Sequence, residues 1–192
     1  FHIGLRIFYR IKIVGMENFP INGGVLLVSN HLSYADPVFI GAAFPRKIRY
    51  LAYSGLADSR IMRQVFDLTN TVTVSPDRSL ESIKTCVNRL KKGTPLCVFA
   101  EGGISRLGTI FSFKRGVFLL AKQAGVPILP VHLDGVWGSV FSMERGKFFQ
   151  KWPTSFPYRV SVHVGSSIDA SHADPENVRS KVMELGRLSF TE

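Results

Sequence analysis

Short apolar runs alternate with stretches of helical spacing along most of the chain, and this alternation constrains the fold more than any other feature. The first run, residues 25–29, is followed by a segment that starts with Asp36 and Pro37. Asp favours the N-cap of a helix and Pro its first turn, so we predict a helix over residues 36–43 with Asp36 as its cap. Repeated strand–helix units predict a single α/β domain with a mostly parallel central sheet flanked by helices.

The same reasoning assigns the other elements. Further strands are predicted at residues 48–52, 71–74, 96–99, 128–132 and 159–164. Further helices are predicted at residues 57–66, 79–92, 114–124 and 175–188. The helix over 79–92 is the clearest, because its apolar residues repeat at helical spacing and Gly93 ends it.

The length of 192 residues suits one domain with a full core. The chain begins at Phe1 rather than Met, so we expect residues 1–192 to be one domain from a longer, fused or unfused, chain. No apolar run approaches the ~20 residues that span a bilayer, and no signal peptide is visible. The domain is therefore not expected to cross a membrane by itself.

The two cysteines, Cys86 and Cys97, fall in a helical pattern and an apolar strand pattern. We interpret them as buried free thiols in a reducing compartment. The chain lacks CxxC and HExxH spacings, so we expect no metal site. His132 and Asp134 stand two apart near a strand end, and we interpret them as structural.

The net charge of +10, from 24 Lys and Arg against 14 Asp and Glu, favours polyanionic partners. Nucleic acid, anionic lipid headgroups and phosphorylated substrates all fit that balance. A nucleic-acid reader would interleave aromatic residues with Lys and Arg in a recognisable motif, and none is present, so no nucleic acid is expected.

Aromatic residues mix with basic ones in two further segments. Residues 138–157 contain five aromatic and three basic residues. This mixture is compatible with a packed loop and with a membrane-facing surface. The N-terminal stretch places Phe1, Leu5 and Phe8 beside Arg6 and Arg10. It fits a membrane-facing segment or a helix packed on the domain.

The first candidate site is the segment NHLSYAD, residues 30–36, between a buried strand and a helix. Ligand crevices form at the carboxyl ends of strands in open α/β sheets. A turn between His31 and Asp36 brings the side chains together as a general-base pair, in which the carboxylate orients the imidazole. The alternative is a structural His31 beside a helix cap.

The second candidate site is FAEGGISRLG, residues 99–108, which also follows a buried strand. Gly102 and Gly103 allow the backbone to approach an anion closely. Arg106, with Lys114 or Arg115 beyond it, can hold a phosphate. The alternative is a glycine-containing loop with solvated charges.

Together these segments resemble the motifs of the glycerophospholipid and lysophospholipid acyltransferases of the 1-acylglycerol-3-phosphate acyltransferase type. Residues 30–36 match the family's NHxxxxD, and residues 74–78 resemble its second motif. Residues 99–102 resemble the start of FPEGTRS, and residues 126–131 match a VPILPV-like strand. The GGISR form is most similar to 2-acylglycerophosphoethanolamine acyltransferases and acyltransferase domains fused to acyl–acyl-carrier-protein synthetases.

The resemblance implies a glycerolipid acyltransferase-like fold and a catalytic pair of His31 as base and Asp36. It implies an acceptor site in which Arg78 and Arg106 bind phosphate, amides near Gly102 and Gly103 stabilise the oxyanion, and Glu101 positions the glycerol or the loop. Ala100 replaces the family's Pro, and Arg106 stands two positions later than the usual Arg. The full implied set of substrate-binding residues is Arg78, Glu101, Gly102, Gly103, Ser105, Arg106 and Lys114.

The activity implied is transfer of a fatty acyl group from acyl-CoA or acyl–acyl carrier protein to a lysophospholipid, such as lysophosphatidylethanolamine or lysophosphatidate. No cofactor is expected beyond that co-substrate. We expect a peripheral or tethered domain on a membrane lipid surface, at the cytoplasmic face of a bacterial inner membrane. A covalent acyl-enzyme through Ser33 is a rival route. A lipid-binding module without catalysis is the alternative function.

Overall fold

A seven-stranded sheet forms the centre of the domain. The computed structural model describes residues 9–55, 60–69, 71–74, 79–139, 142, 144 and 158–189. The strands are β1 (Tyr9–Val14), β2 (Leu26–Ser29), β3 (Arg49–Tyr53), β4 (Val72–Val74), β5 (Leu96–Phe99), β6 (Ile128–Asp134) and β7 (Tyr158–Val164). Their order in the sheet is β1-β7-β6-β2-β5-β3-β4.

Five α-helices flank the sheet within the described ranges: α1 (Asp36–Ala43), α2 (Arg60–Thr69), α3 (Ser79–Lys91), α4 (Gly116–Ala124) and α5 (Pro175–Ser189). A 3-10 turn, Met16–Asn18, follows β1. The predicted helix over 114–124 begins two residues late, because the backbone N–H of Lys114 donates to the carbonyl of Ala100 at 2.8 Å and holds that residue on the preceding loop. None of the helices described combines the length and the apolar character that crossing a membrane requires.

The five strands from β2 to β6 run parallel, which confirms the predicted mostly parallel α/β sheet. β7 pairs antiparallel with β6, and β1 pairs parallel with β7 at the sheet edge. The helical interpretation of the N-terminal stretch is wrong for its last part, since Arg10 lies in β1. Residues 1–8 lie outside the described residues, as does most of the aromatic segment 138–157.

Alternate residues of β2, and Val25 directly before it, face two separate cores. Val25 and Leu27 point to the core that contains Phe39 of α1. Leu26 and Val28 point to the core under α3, α4 and α5. All four β2-side residues are fully buried, and burial of such a side chain contributes about 1.5–3 kcal/mol.

The two cysteines are buried free thiols, as predicted. Burial raises the pKa of Cys86 to about 11. Burial likewise raises the pKa of Cys97, and the nearby Asp36 carboxylate raises it further. Both side chains are therefore uncharged core residues at neutral pH.

The sheet order brings the two candidate segments together. β2 and β5 are hydrogen-bonded neighbours, with Ser29 opposite Phe99 at their carboxyl ends. The segments that begin at Asn30 and Ala100 therefore leave the same edge of the sheet side by side, where ligands bind in parallel α/β sheets.

Candidate functional site

Asn30 anchors the first segment to the sheet. Its side-chain N–H donates to the carbonyl of Leu133 at 2.9 Å, and its side-chain oxygen accepts from the Leu133 N–H at 2.8 Å. The amide thereby extends the β2–β6 pairing one residue past the end of β2. The following residue, His31, leaves the sheet from a backbone position that is held in place.

Asp36 and His31 form the predicted pair. A carboxylate oxygen of Asp36 lies 2.8 Å from Nδ1 of His31. Because a carboxylate only accepts hydrogen bonds, Nδ1 carries the proton and Nε2 is left as the basic nitrogen. Asp36 is fully buried, and the His31 side chain is 15% exposed. The imidazole is thus partly open to solvent, while the carboxylate that holds it is not.

The turn between the two residues wraps the Asp36 carboxylate. The oxygen that faces His31 also accepts from the N–H groups of Leu32 at 2.6 Å and Ser33 at 2.9 Å. The other oxygen accepts from the Ser33 hydroxyl at 2.6 Å. Our prediction that Asp36 caps the helix is wrong: Ala35 is the N-cap, no side chain caps the helix, and the carboxylate turns back toward His31.

Two aromatic rings fix the plane of the imidazole. The Phe99 ring stacks on His31 with centroids 4.0 Å apart and planes 14° from parallel. Tyr50 stacks beyond Phe99 at 6.4 Å, and its hydroxyl donates to the Pro37 carbonyl at 2.6 Å. Burial raises the pKa of Tyr50 well above its ordinary value, so it remains a neutral donor. Sequence reasoning missed Tyr50, which only the β3–β5 pairing brings near the site.

Glu101 ties the two segments together. One carboxylate oxygen accepts from the N–H of His31 at 2.9 Å, and the other accepts from the N–H of Phe111 at 2.8 Å. Burial raises the pKa of Glu101, and the two N–H groups oppose that rise. Of the two roles proposed for Glu101, these contacts match the one in which it positions the loop.

The glycine loop differs from the expected cradle in part. The Gly102 N–H donates to the carbonyl of Phe99 at 3.1 Å, so in this structure it is already used in a turn. The Gly102 φ of 78° requires glycine, since other residues rarely adopt it. Gly103 is exposed, with open space where a β-carbon would lie. Its oxyanion role stays a prediction.

Ser105 braces the loop instead of facing a substrate. It is fully buried. Its N–H donates to the His31 carbonyl at 2.8 Å, and its hydroxyl donates to the carbonyl of Thr109 at 2.8 Å. This geometry favours a structural role for Ser105, which holds the loop against His31, over the predicted contact with substrate.

The predicted cationic residues separate into two groups. Arg106 and Lys114 are exposed on the loop. Lys114 lies over the glycine turn, where a β-carbon on Gly102 would be 3.4 Å from its Cε. Arg78 lies outside the described residues, so its phosphate role stays a prediction.

His132 occupies a separate buried position, in line with a structural role. It lies opposite His163 in the β6–β7 pairing, and helix α5 covers it so closely that a β-carbon on Gly186 would be 2.6 Å from its ring. Burial lowers the pKa of His132, and the Asp134 carboxylate opposes that shift.

The fold and the site together define an α/β domain that carries a histidine–carboxylate pair at the carboxyl edge of its parallel strands, beside a basic glycine loop. Among the residues that the structure describes, no three His, Cys, Asp or Glu side chains are grouped as metal ligands. The imidazole held by a carboxylate has the arrangement of a group that can accept a proton at Nε2.

The chain belongs to the acyltransferase family: a family model described as Acyltransferase matches residues 10–134. A chloroplastic 1-acyl-sn-glycerol-3-phosphate acyltransferase from Arabidopsis thaliana is 30% identical over 137 residues, which cover 69% of this chain and 38% of that protein. A lyso-ornithine lipid O-acyltransferase from Brucella abortus is 31% identical over 168 residues, which cover 80% of this chain and 61% of that protein. The chain thus spans 38% and 61% of the lengths of these two relatives, less than two thirds of each.

The solved structure of a 1-acyl-sn-glycerophosphate acyltransferase from Thermotoga maritima has the same fold. It superposes with a TM-score of 0.65 and 22% identity, covering 95% of this chain and 72% of the other. The predicted glycerolipid acyltransferase-like fold is therefore confirmed.

Proposed function

We propose that this chain transfers a fatty acyl group from a thioester donor, acyl-CoA or acyl–acyl carrier protein, to the free hydroxyl of a lysophospholipid. The names of its relatives specify acyl transfer to lipids, of the acylglycerol-phosphate type and the lyso-ornithine type. The observation that carries the proposal for this chain is the 2.8 Å contact between His31 and the buried Asp36.

The proposed reaction uses His31 as a general base. Nε2 of His31 takes the proton of the acceptor hydroxyl while the hydroxyl oxygen attacks the carbonyl carbon of the thioester. The C–S bond then breaks, and the thiolate receives the proton from the imidazolium, which restores the neutral base. Asp36 orients the ring and balances its transient positive charge.

Direct transfer is favoured over a covalent acyl-enzyme by the surroundings of the candidate nucleophiles. The Ser33 hydroxyl is fully buried and donates to the Asp36 carboxylate at 2.6 Å, so it faces away from the base nitrogen of His31. Cys86 and Cys97 are buried with raised pKa values. A nucleophile needs exposure and activation by a base or a lowered pKa.

The acceptor's anionic headgroup would meet the exposed basic side chains of Arg106 and Lys114, with Arg78 as a further candidate. Loop amides, that of Gly103 included, are the proposed donors to the oxyanion. We further propose that the domain works on a membrane lipid surface, since both product and acceptor are lipids. We propose the cytoplasmic face as the side on which it meets the thioester donor.

Comparison of His31→Gln with His172→Gln tests the proposal. His172 is exposed on the turn before α5 and serves as the matched control. We expect His31→Gln to lower kcat by about 10²–10⁴-fold, the usual contribution of a general base, and His172→Gln to leave it unchanged. Lysophosphatidate, lysophosphatidylethanolamine and lysophosphatidylglycerol are each assayed with both donors.

Unchanged turnover in His31→Gln would refute the base assignment. A wild-type chain that binds lysolipid but transfers no acyl group with any combination would favour the non-catalytic lipid-binding alternative.

A further inference from the structure

The loop after β5 holds a large apolar side chain out into solvent. Leu107 is 70% exposed, and Phe111 further along is 43% exposed. Three contacts fix the loop around them. The Ser105 N–H bonds to the His31 carbonyl, Gly108 lies against the Trp137 indole, and the Phe111 N–H bonds to Glu101. Exposed apolar side chains on a braced loop predict a surface that meets an apolar partner.

The same loop is surrounded by positive charge. Arg106, Lys114 and Arg115 are exposed, and the sequence from Gly102 to Leu133 contains no Asp or Glu. Glu101, which accepts from the Phe111 N–H, is buried beneath the loop. Glu176 on α5 pairs with Arg179 at 3.4 Å, and that guanidinium also donates to the Phe111 carbonyl. The exposed charged side chains of the loop itself are therefore all positive.

We propose that Arg106, Leu107, Phe111, Lys114 and Arg115, here called the loop surface, dock the domain on an anionic lipid membrane. Apolar side chains enter the headgroup–acyl boundary while cations meet lipid phosphates, which is how interfacial protein segments bind. An acidic protein with an apolar contact would also match this surface, but its position beside a site proposed to acylate lipids favours the membrane. This inference rests on the proposed function, because it names the surface from which that function takes its substrate.

The position of the loop surface explains why docking serves the site. Ser105 bonds directly to the backbone of His31, and Leu107 follows two residues later. A lysolipid held at the boundary beside Leu107 would therefore have its headgroup close to the His31–Asp36 pair. Its acyl chain would stay in the membrane.

Flotation of the purified chain with vesicles tests the docking directly. The vesicles contain phosphatidylcholine alone or equal parts of phosphatidylcholine and phosphatidylglycerol. We expect Leu107→Ser to weaken binding about tenfold to both, as loss of most of one buried Leu predicts. We expect Arg115→Gln to weaken binding about fivefold, on the phosphatidylglycerol vesicles only. Circular dichroism checks that both variants fold.

Ile21→Ser is the matched control. Ile21 is 85% exposed, but it precedes β2 at the opposite edge of the sheet, so its replacement should leave binding unchanged. Equal binding by Leu107→Ser, Ile21→Ser and the wild type would overturn the proposal. So would a defect of Leu107→Ser that appears only in transfer from acyl carrier protein, since that result assigns the surface to the carrier. Flotation requires no turnover, so a failure of the proposed function is seen separately, as absent acyl transfer.

Discussion

Replacement of Asp36 separates its chemical role from its structural one. In Asp36→Asn, one amide oxygen can still accept from Leu32, Ser33 and His31, while the new NH₂ group faces the Ser33 hydroxyl, which must turn from donor to acceptor. The change exchanges charge-assisted hydrogen bonds for neutral ones, at a cost of about 1–2 kcal/mol. The imidazolium loses its counter-charge, so we expect kcat to fall by about 10²–10⁴-fold.

Asp36→Ala should be far more destabilising. It leaves the N–H groups of Leu32 and Ser33 and the Ser33 hydroxyl without their acceptor in a fully buried site. Each unsatisfied buried donor costs about 1–3 kcal/mol, so the loss of the acceptor for these three donors should lower the free energy of unfolding by about 3–9 kcal/mol. That is a large share of the ~5–15 kcal/mol by which a domain is stable.

Urea denaturation and steady-state acyl transfer measure the two effects on the same preparations. Ser33→Ala is the matched control, because it removes the donor to one Asp36 oxygen and leaves the His31 contact intact. We expect it to cost about 1–3 kcal/mol, because one buried Asp36 oxygen loses its donor, and to keep kcat within about tenfold of wild type. The reasoning fails if Asp36→Asn is folded and turns over within tenfold of wild type, or if Asp36→Ala is as stable as Asp36→Asn.

Two further predictions concern stability. The folded pKa of Glu101 is raised, so the stability linked to its protonation is fully present below about pH 4.5 and is lost as pH rises through the folded pKa. Glu101→Gln should abolish that decline. Urea denaturation of both proteins between about pH 4 and pH 7 measures it, and an equal decline in both would contradict the prediction. Gly186→Ala forces a β-carbon to within 2.6 Å of the His132 ring and should cost about 1–3 kcal/mol in the free energy of unfolding. Gly116→Ala, with open space at its β-carbon, is the control, and equal unfolding midpoints would refute the packing argument.

Local pattern was sufficient for the elements near the site. The strand over 96–99 was predicted with its observed bounds, because an apolar run between Pro95 and the glycine loop has few alternatives. The meeting of His31 and Asp36 also followed from their spacing. The role of Asp36 at the start of the helix was predicted wrongly. An Asp before a Pro is compatible with a helix cap, and equally with a carboxylate that accepts from residues earlier in the chain.

The pairing of strands that are far apart in the chain could not be predicted from the sequence. β1 is a strand because Tyr9–Val14 pairs with β7, almost 150 residues away in the chain, in the register Tyr9 to Tyr158. The stacking of Phe99 on His31 needs β2 and β5 to be neighbours, which strand patterns alone do not specify. The role of Glu101 depended on two backbone groups, those of His31 and Phe111, whose approach only the folded loop creates.

The backbone N–H and the backbone carbonyl of His31 both bond to one short stretch of chain. Its amide bonds to Glu101 and its carbonyl bonds to Ser105. Glu101 and Ser105 both bond to the backbone of one residue, His31, so the length of the segment between them, residues 102–104, is fixed. An insertion in this segment would break one of the two hydrogen bonds. Natural length variation among related loops, and any engineered change of lipid preference by loop extension, should therefore fall after Ser105.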